Sequence, residues 1–190
     1  MRGAMSLRLL VARARRPIRR LLRDKRGISA VEFAMLLPLM LSLYLGAVEV
    51  SQGIGADRKV TLTARTVADL VSQVTSVSNN DMTNSLNAAS AVMSPYSVSN
   101  LKVVVTSVTI DAQGKATVAW SDTLNGTARS PGATVTLPSA LNIPSTSLIW
   151  SEVQYTYTPV VGHYITGSLT LKDQIYMRPR MSDTVGRTAS

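Results

Sequence analysis

Glu32 stands at the head of an apolar run, in the string Arg26-Gly27-Ile28-Ser29-Ala30-Val31-Glu32-Phe33. From Phe33 to Val48 sixteen residues then pass without a charge. A carboxylate on a membrane-length apolar segment costs on the order of 2.5–3.5 kcal/mol at the helix centre, so such a charge is seldom kept without a partner. The most economical partner is a new α-amino group, made by cutting the chain between Gly27 and Ile28. In a packed bundle of such segments, Glu32 of one copy can then pair with the Ile28 amine of its neighbour. A copy shifted by one step leaves both charges unpaired in an apolar setting, so the pair sets register.

The elements that must position this pair follow from charge and hydropathy. Ile28 to Val48 covers 21 residues, roughly 31 Å of helix at ~1.5 Å per residue, enough to cross a bilayer. Pro38 removes one backbone N–H and crowds the carbonyl of Ala34, so a kink in the stem is expected there. Residues 1–26 carry ten Lys/Arg and one acid, which accounts for the whole formal charge of +9. The other 164 residues carry ten basic and ten acidic side chains. A neutral body argues against nucleic-acid binding, which would need a basic face on the folded part. Basic residues ahead of an apolar span stay on the cytoplasmic side, so residues 50–190 are expected to be exported, beyond the lipid that holds the span. With no cysteine, the chain has neither disulfides nor thiolate metal ligands.

Beyond the span, Val60, Ala64, Val67, Val71 and Val74 recur at helical spacing, with Arg58, Thr61, Arg65, Asp69 and Gln73 between them. Residues 28–77 therefore read as one helix, apolar all round and then one-faced, with Gly53 and Gly55 as a flexible joint. Ser76 to Asp81 is a break, and a short helix capped near Asn80 or Asp81 buries Met82, Leu86, Ala89 and Met93 and ends by Pro95. Leu101–Ile110 and Lys115–Thr123 form a hairpin around Asp111-Ala112-Gln113-Gly114, with Val118 and Trp120 on one face. Asn125–Pro144, rich in Gly, Pro, Ser and Thr, reads as a long surface loop open to a partner. Leu148–Thr158 is a third strand, with Ile149, Val153, Tyr155 and Tyr157 at alternating positions, an apolar alternation interrupted by Ser151. In the fourth, Ile165, Gly167, Leu169, Leu171, Asp173, Ile175 and Met177 share one face, the alternation of a half-buried antiparallel strand. Arg178 to Ser190 reads as a polar, solvated tail, and Glu49 as solvated at the outer interface.

The expected class is α+β: a long N-terminal helix, transmembrane and then amphipathic, packed on an antiparallel sheet of about four strands. The division is 1–27 basic leader, 28–78 stem helix and 79–190 exported head. Catalysis finds no support. His163 is the only histidine, no serine or acid stands beside it in a known motif, and no phosphate loop or paired metal ligands occur. No cofactor and no metal are expected.

The leader, the glycine and the glutamate as fifth residue of the mature chain resemble the processing site of type IV pilin-like proteins. The longer string DKRGISAVEFAMLLPLMLSLYLGAVEVSQ resembles the opening of the TadE-like family, minor pilins or pseudopilins of the tight-adherence (Flp) pilus system. Arg26, Gly27, Ala30, Val31, Glu32, Phe33, Ala34, Pro38, Gly46 and Glu49 occupy the family's positions. Ser151–Pro159 and Arg178-Pro179-Arg180 are similar, less specifically, to its later strand and near-terminal basic motif.

The resemblance implies a pilin-like fold and a membrane prepilin peptidase that cuts between Gly27 and Ile28. It also implies a single-pass subunit in a bacterial inner membrane, N-terminus cytoplasmic and head periplasmic. Its partners would be other pilin and pseudopilin subunits and the inner-membrane assembly platform, acting in adhesion and biofilm formation. Main pilins of the system are much shorter, so the head favours a minor or assembly subunit. The alternatives are an uncleaved, membrane-anchored periplasmic binding or scaffold domain and, from a different class, an exported enzyme. Mass spectrometry of the membrane-extracted protein is expected to find Ile28 as the first residue; an intact Met1 end is the outcome for an uncut anchor.

Overall fold

The computed structural model describes residues 26–160, 162 and 167–188. The leader at 1–25, His163 and the expected start of the fourth strand at Ile165 and Thr166 lie outside them. The chain divides into two compact units, 1–47 and 48–190. The described part of the first is helix alone. Helix α1, Arg26–Ser72, begins there and runs unbroken through Pro38.

In the second unit α1 is one-faced, as the spacing predicts. Ala56, Val60, Ala64, Val67 and Val71 are fully or almost fully buried. They pack on one face of a four-stranded antiparallel sheet made of β2 (Leu101–Ile110), β3 (Ala116–Leu124), β4 (Thr146–Tyr157) and β5 (Leu169–Met177), in the order β3-β2-β4-β5. Leu101, Val103, Val105, Ile149, Val153, Tyr155 and Tyr157 supply that face. Each fully buried valine contributes about 1.5 kcal/mol or more. An exposed ion pair such as Arg180–Asp69 contributes at most about 1 kcal/mol, so the apolar stripe fixes the helix.

Helix α1 stops at Ser72, five residues earlier than the stripe suggests. Its terminal carbonyl accepts the Arg180 N–H at 2.8 Å, a partner that no local pattern reveals. Val74 still packs against the core from outside the helix. A two-residue strand β1 (Ser76–Val77) follows and pairs in parallel with β6 (Gly186–Arg187).

Helix α2, Asn79–Met93, is capped by Ser78 rather than by Asn80 or Asp81. The Ser78 hydroxyl accepts from the Asp81 N–H at 3.2 Å, and the Asp81 carboxylate accepts the Ser78 N–H at 3.0 Å. These reciprocal bonds form a capping box. Hydrogen bonds from the Ser78 side chain and backbone hold the Asp81 carboxyl below its ordinary value of 3.8.

The hairpin of β2 and β3 forms as predicted, but its faces differ. Ser107 pairs with Trp120 and Val108 with Val118, leaving Ala119 as an extra residue in a bulge. Val118 therefore joins Val108, Ile110, Ala116, Leu148 and Trp150 on the far face of the sheet. Trp120 faces the α1 side instead and donates its Nε1–H to the Val185 carbonyl at 2.8 Å.

The loop 125–144 is tied down. Leu137 is buried against the far-face cluster with Val135 and Leu141, and Thr134 bridges to Thr117 beside β3. The expected polar tail is tied down as well. Val185 is buried, and Arg187 pairs with Asp122 at 2.8 Å while donating to the Val77 carbonyl and the Asn79 side chain.

Gly53 and Gly55 serve close packing inside this unit rather than a joint. Tyr96 donates its hydroxyl to the Gln52 carbonyl at 3.0 Å. A Cβ on Gly55 would stand 2.7 Å from that hydroxyl but 4.0 Å from the ring carbon bearing it. Gly55→Ala is therefore expected to gain about 1 kcal/mol of helix propensity in a Tyr96→Phe background and to lose that gain in the parent. Thermal melts of the four detergent-solubilised proteins check the reversal.

Ser78→Ala is expected to cost about 0.5–2 kcal/mol by denaturant titration. The Asp81 contribution is present above that group's unfolded pKa and is lost as pH falls through its lowered folded value, so the two proteins converge in acid.

Candidate functional site

The predicted processing and assembly residues lie in the first turns of α1. Gly27, Ile28, Glu32 and Phe33 are all exposed, Ile28 by 54% and Phe33 by 60%. Ile28 and Glu32 stand four residues apart, one turn along the same helix face. Gly27 is the second residue of the helix, and a Cβ there would meet no heavy atom within 4 Å.

Every residue from Gly27 to Val48 is exposed within the chain. Large apolar side chains point out on all sides, among them Met35, Leu39, Leu43 and Tyr44. The first part of α1 is long and apolar enough to cross a membrane, as fits a single-pass membrane protein. Pro38 sits inside this stretch, and Ser42 donates its hydroxyl to the Leu39 carbonyl at 2.8 Å in the next turn.

Glu49, the first acid after the apolar run, is engaged rather than solvated. Its carboxylate accepts the Gly162 N–H at 2.6 Å. Burial, followed by the Glu49 charge and the neighbouring tyrosines Tyr96 and Tyr155, pushes the Tyr157 hydroxyl above its ordinary value. Tyr96 stands edge-on to the Tyr157 ring. Sequence reading missed this group because Glu49 and Gly162 are 113 residues apart. The only local hint was an acid at the end of a charge-free run.

A second arrangement, also unforeseen, lies on the far face of the sheet. Arg129 from the long loop forms an ion pair with Glu152, donates to the Thr106 hydroxyl at 3.1 Å and lies 3.9 Å above the Trp150 ring. Trp150 is stacked in turn on Tyr176. Arg180, expected to be solvated, pairs with Asp69. Arg178 is exposed. Among the described residues no group of three His, Asp or Glu side chains is placed to hold a metal ion.

No curated protein and no solved structure matches the chain. A family model described as TadE-like protein matches residues 27–69, opening at the glycine and covering the apolar and most of the one-faced part of α1. This stretch of the chain is a TadE-like domain.

Proposed function

We propose that the protein is a minor pilin or pseudopilin of a tight-adherence (Flp) pilus, a structural rather than a catalytic component. The TadE-like domain supports a protein related to that pilus. One coincidence carries the finer reading. The family match opens at Gly27, Glu32 follows one turn after Ile28, and the apolar stretch of helix that carries them is exposed.

A prepilin peptidase removes the leader between Gly27 and Ile28. The stem stays in the inner membrane while the head folds in the periplasm. There the stem packs against other pilin and pseudopilin subunits and the assembly platform, with lipid on its remaining faces. The Ile28 amine of one subunit meets Glu32 of the next, and Phe33 and its apolar neighbours fill the contact. In such surroundings one charge without the other costs several kcal/mol, so neighbouring stems settle at one height. The spacing of Ile28 and Glu32 also permits a pair within one helix, which would neutralise the charge without fixing register.

Glu32→Gln and Glu32→Ala are expected to insert in the membrane at parental levels yet to assemble poorly. Membrane fractionation and surface attachment by cells carrying each variant measure the two steps. Normal attachment would count against the intersubunit pair.

A further inference from the structure

A groove of about 980 Å³ lies on the far face of the sheet, between the strands and residues 125–129 of the long loop. Its floor is built by register. Lys102 of β2 pairs with Gln154 of β4, which pairs with Lys172 of β5, so three side chains form a row across three strands. At ~4.8 Å per strand the two lysines are about 10 Å apart at their backbones.

The groove wall is held from several sides. Asn125 has a left-handed backbone (φ 53) and donates its side-chain amide to the Leu101 carbonyl at 3.1 Å. Gly126 lies so close to β2 and β3 that a Cβ would stand 2.6 Å from the Thr123 hydroxyl and 3.2 Å from the Val104 side chain. Arg129 is fixed by Glu152, Thr106 and Trp150.

The charges do not balance. Of the two acids lining the groove, Glu152 is taken by Arg129. Asp173 accepts from the Thr61 hydroxyl with one oxygen and from the Gln174 N–H with the other. Lys102 and Lys172 are exposed and have no acidic partner among the described residues.

We infer that this groove binds an extended acidic peptide segment, with Lys102 and Lys172 each taking a carboxylate and Gln154 contacting the backbone between them. Charge complementarity selects an anion. The side-chain amides of Gln154 and Gln174 and the peptide groups of the loop match a polypeptide backbone. A sugar polymer would look for an aromatic platform, and among the described residues no aromatic ring lines the groove. Trp150, beside the groove on the same face, already carries Arg129 and Tyr176. The inference stands apart from the assembly role of the stem.

The test is fluorescence anisotropy of a labelled peptide of alternating Glu and Ser with the full chain in detergent. Lys102→Gln/Lys172→Gln should weaken binding about tenfold, and added salt should weaken the parent's binding. Lys102→Arg/Lys172→Arg should bind as the parent does and keeps the result interpretable if the glutamine variant melts early. Arg58→Gln/Arg65→Gln removes the same charge from the surface of α1 and should change affinity by less than about twofold. A peptide of alternating Gln and Ser should not bind. Equal loss in the two glutamine variants, undiminished binding in the groove variant, or binding of polygalacturonate in place of the acidic peptide would overturn the inference.

Discussion

Between Gly27 and Val48 the helix presents apolar side chains on every side, and nothing among the described residues covers them. More than a dozen large ones are exposed there. Moving them out of water is worth on the order of 10–20 kcal/mol, comparable with or larger than the ~5–15 kcal/mol that holds a typical domain folded. The surroundings of this stretch therefore dominate where the molecule can reside. Against that gain a single carboxylate costing a few kcal/mol is tolerable. It is tolerable at the start of the run, one turn from the Gly27–Ile28 bond, far more readily than at its middle.

The one-faced continuation of the same helix solves the opposite problem. Its small and β-branched residues let it lie close on a sheet that brings its own apolar face. The second face of that sheet is divided. One half is apolar and covered by Val135, Leu137 and Leu141 of the long loop. The other half is polar, and there Lys102 and Lys172 keep their charges toward solvent. Arg129 stands at the division, its guanidinium on an indole and its charge on Glu152.

What could be read in advance was what repeats. The stripe Val60–Val71 and the alternation Leu169–Met177 each report a single face of a single element, and both faces occur as expected. The pairs that close the structure over long distances carry no such signal. One extra residue at Ala119 reverses the facing of everything before it in β3, and alternation counted through the bulge assigns Val118 to the wrong layer. Arg187, read as solvent-facing, finds Asp122, Val77 and Asn79 only because a parallel two-strand ribbon places it there. Gly55 looked like a weak point in a helix until Tyr96 supplied the atom that needs the space. For the predicted processing residues, two turns of one helix carry Gly27, Ile28 and Glu32, so their proximity was legible from spacing alone.

The ribbon has a bearing on the order in which the molecule can be made. The carbonyls of Ser72, Thr75 and Val77 wait for the amides of Arg180, Gly186 and Thr188. The indole of Trp120 waits for the carbonyl of Val185. The ribosome supplies the three carbonyls and the indole early; the amides follow roughly a hundred residues later and the Val185 carbonyl 65 residues after Trp120. Until that last stretch is threaded alongside, the helix end and one wall of the core stay open to water, so the lobe matures only after most of its polypeptide has been delivered.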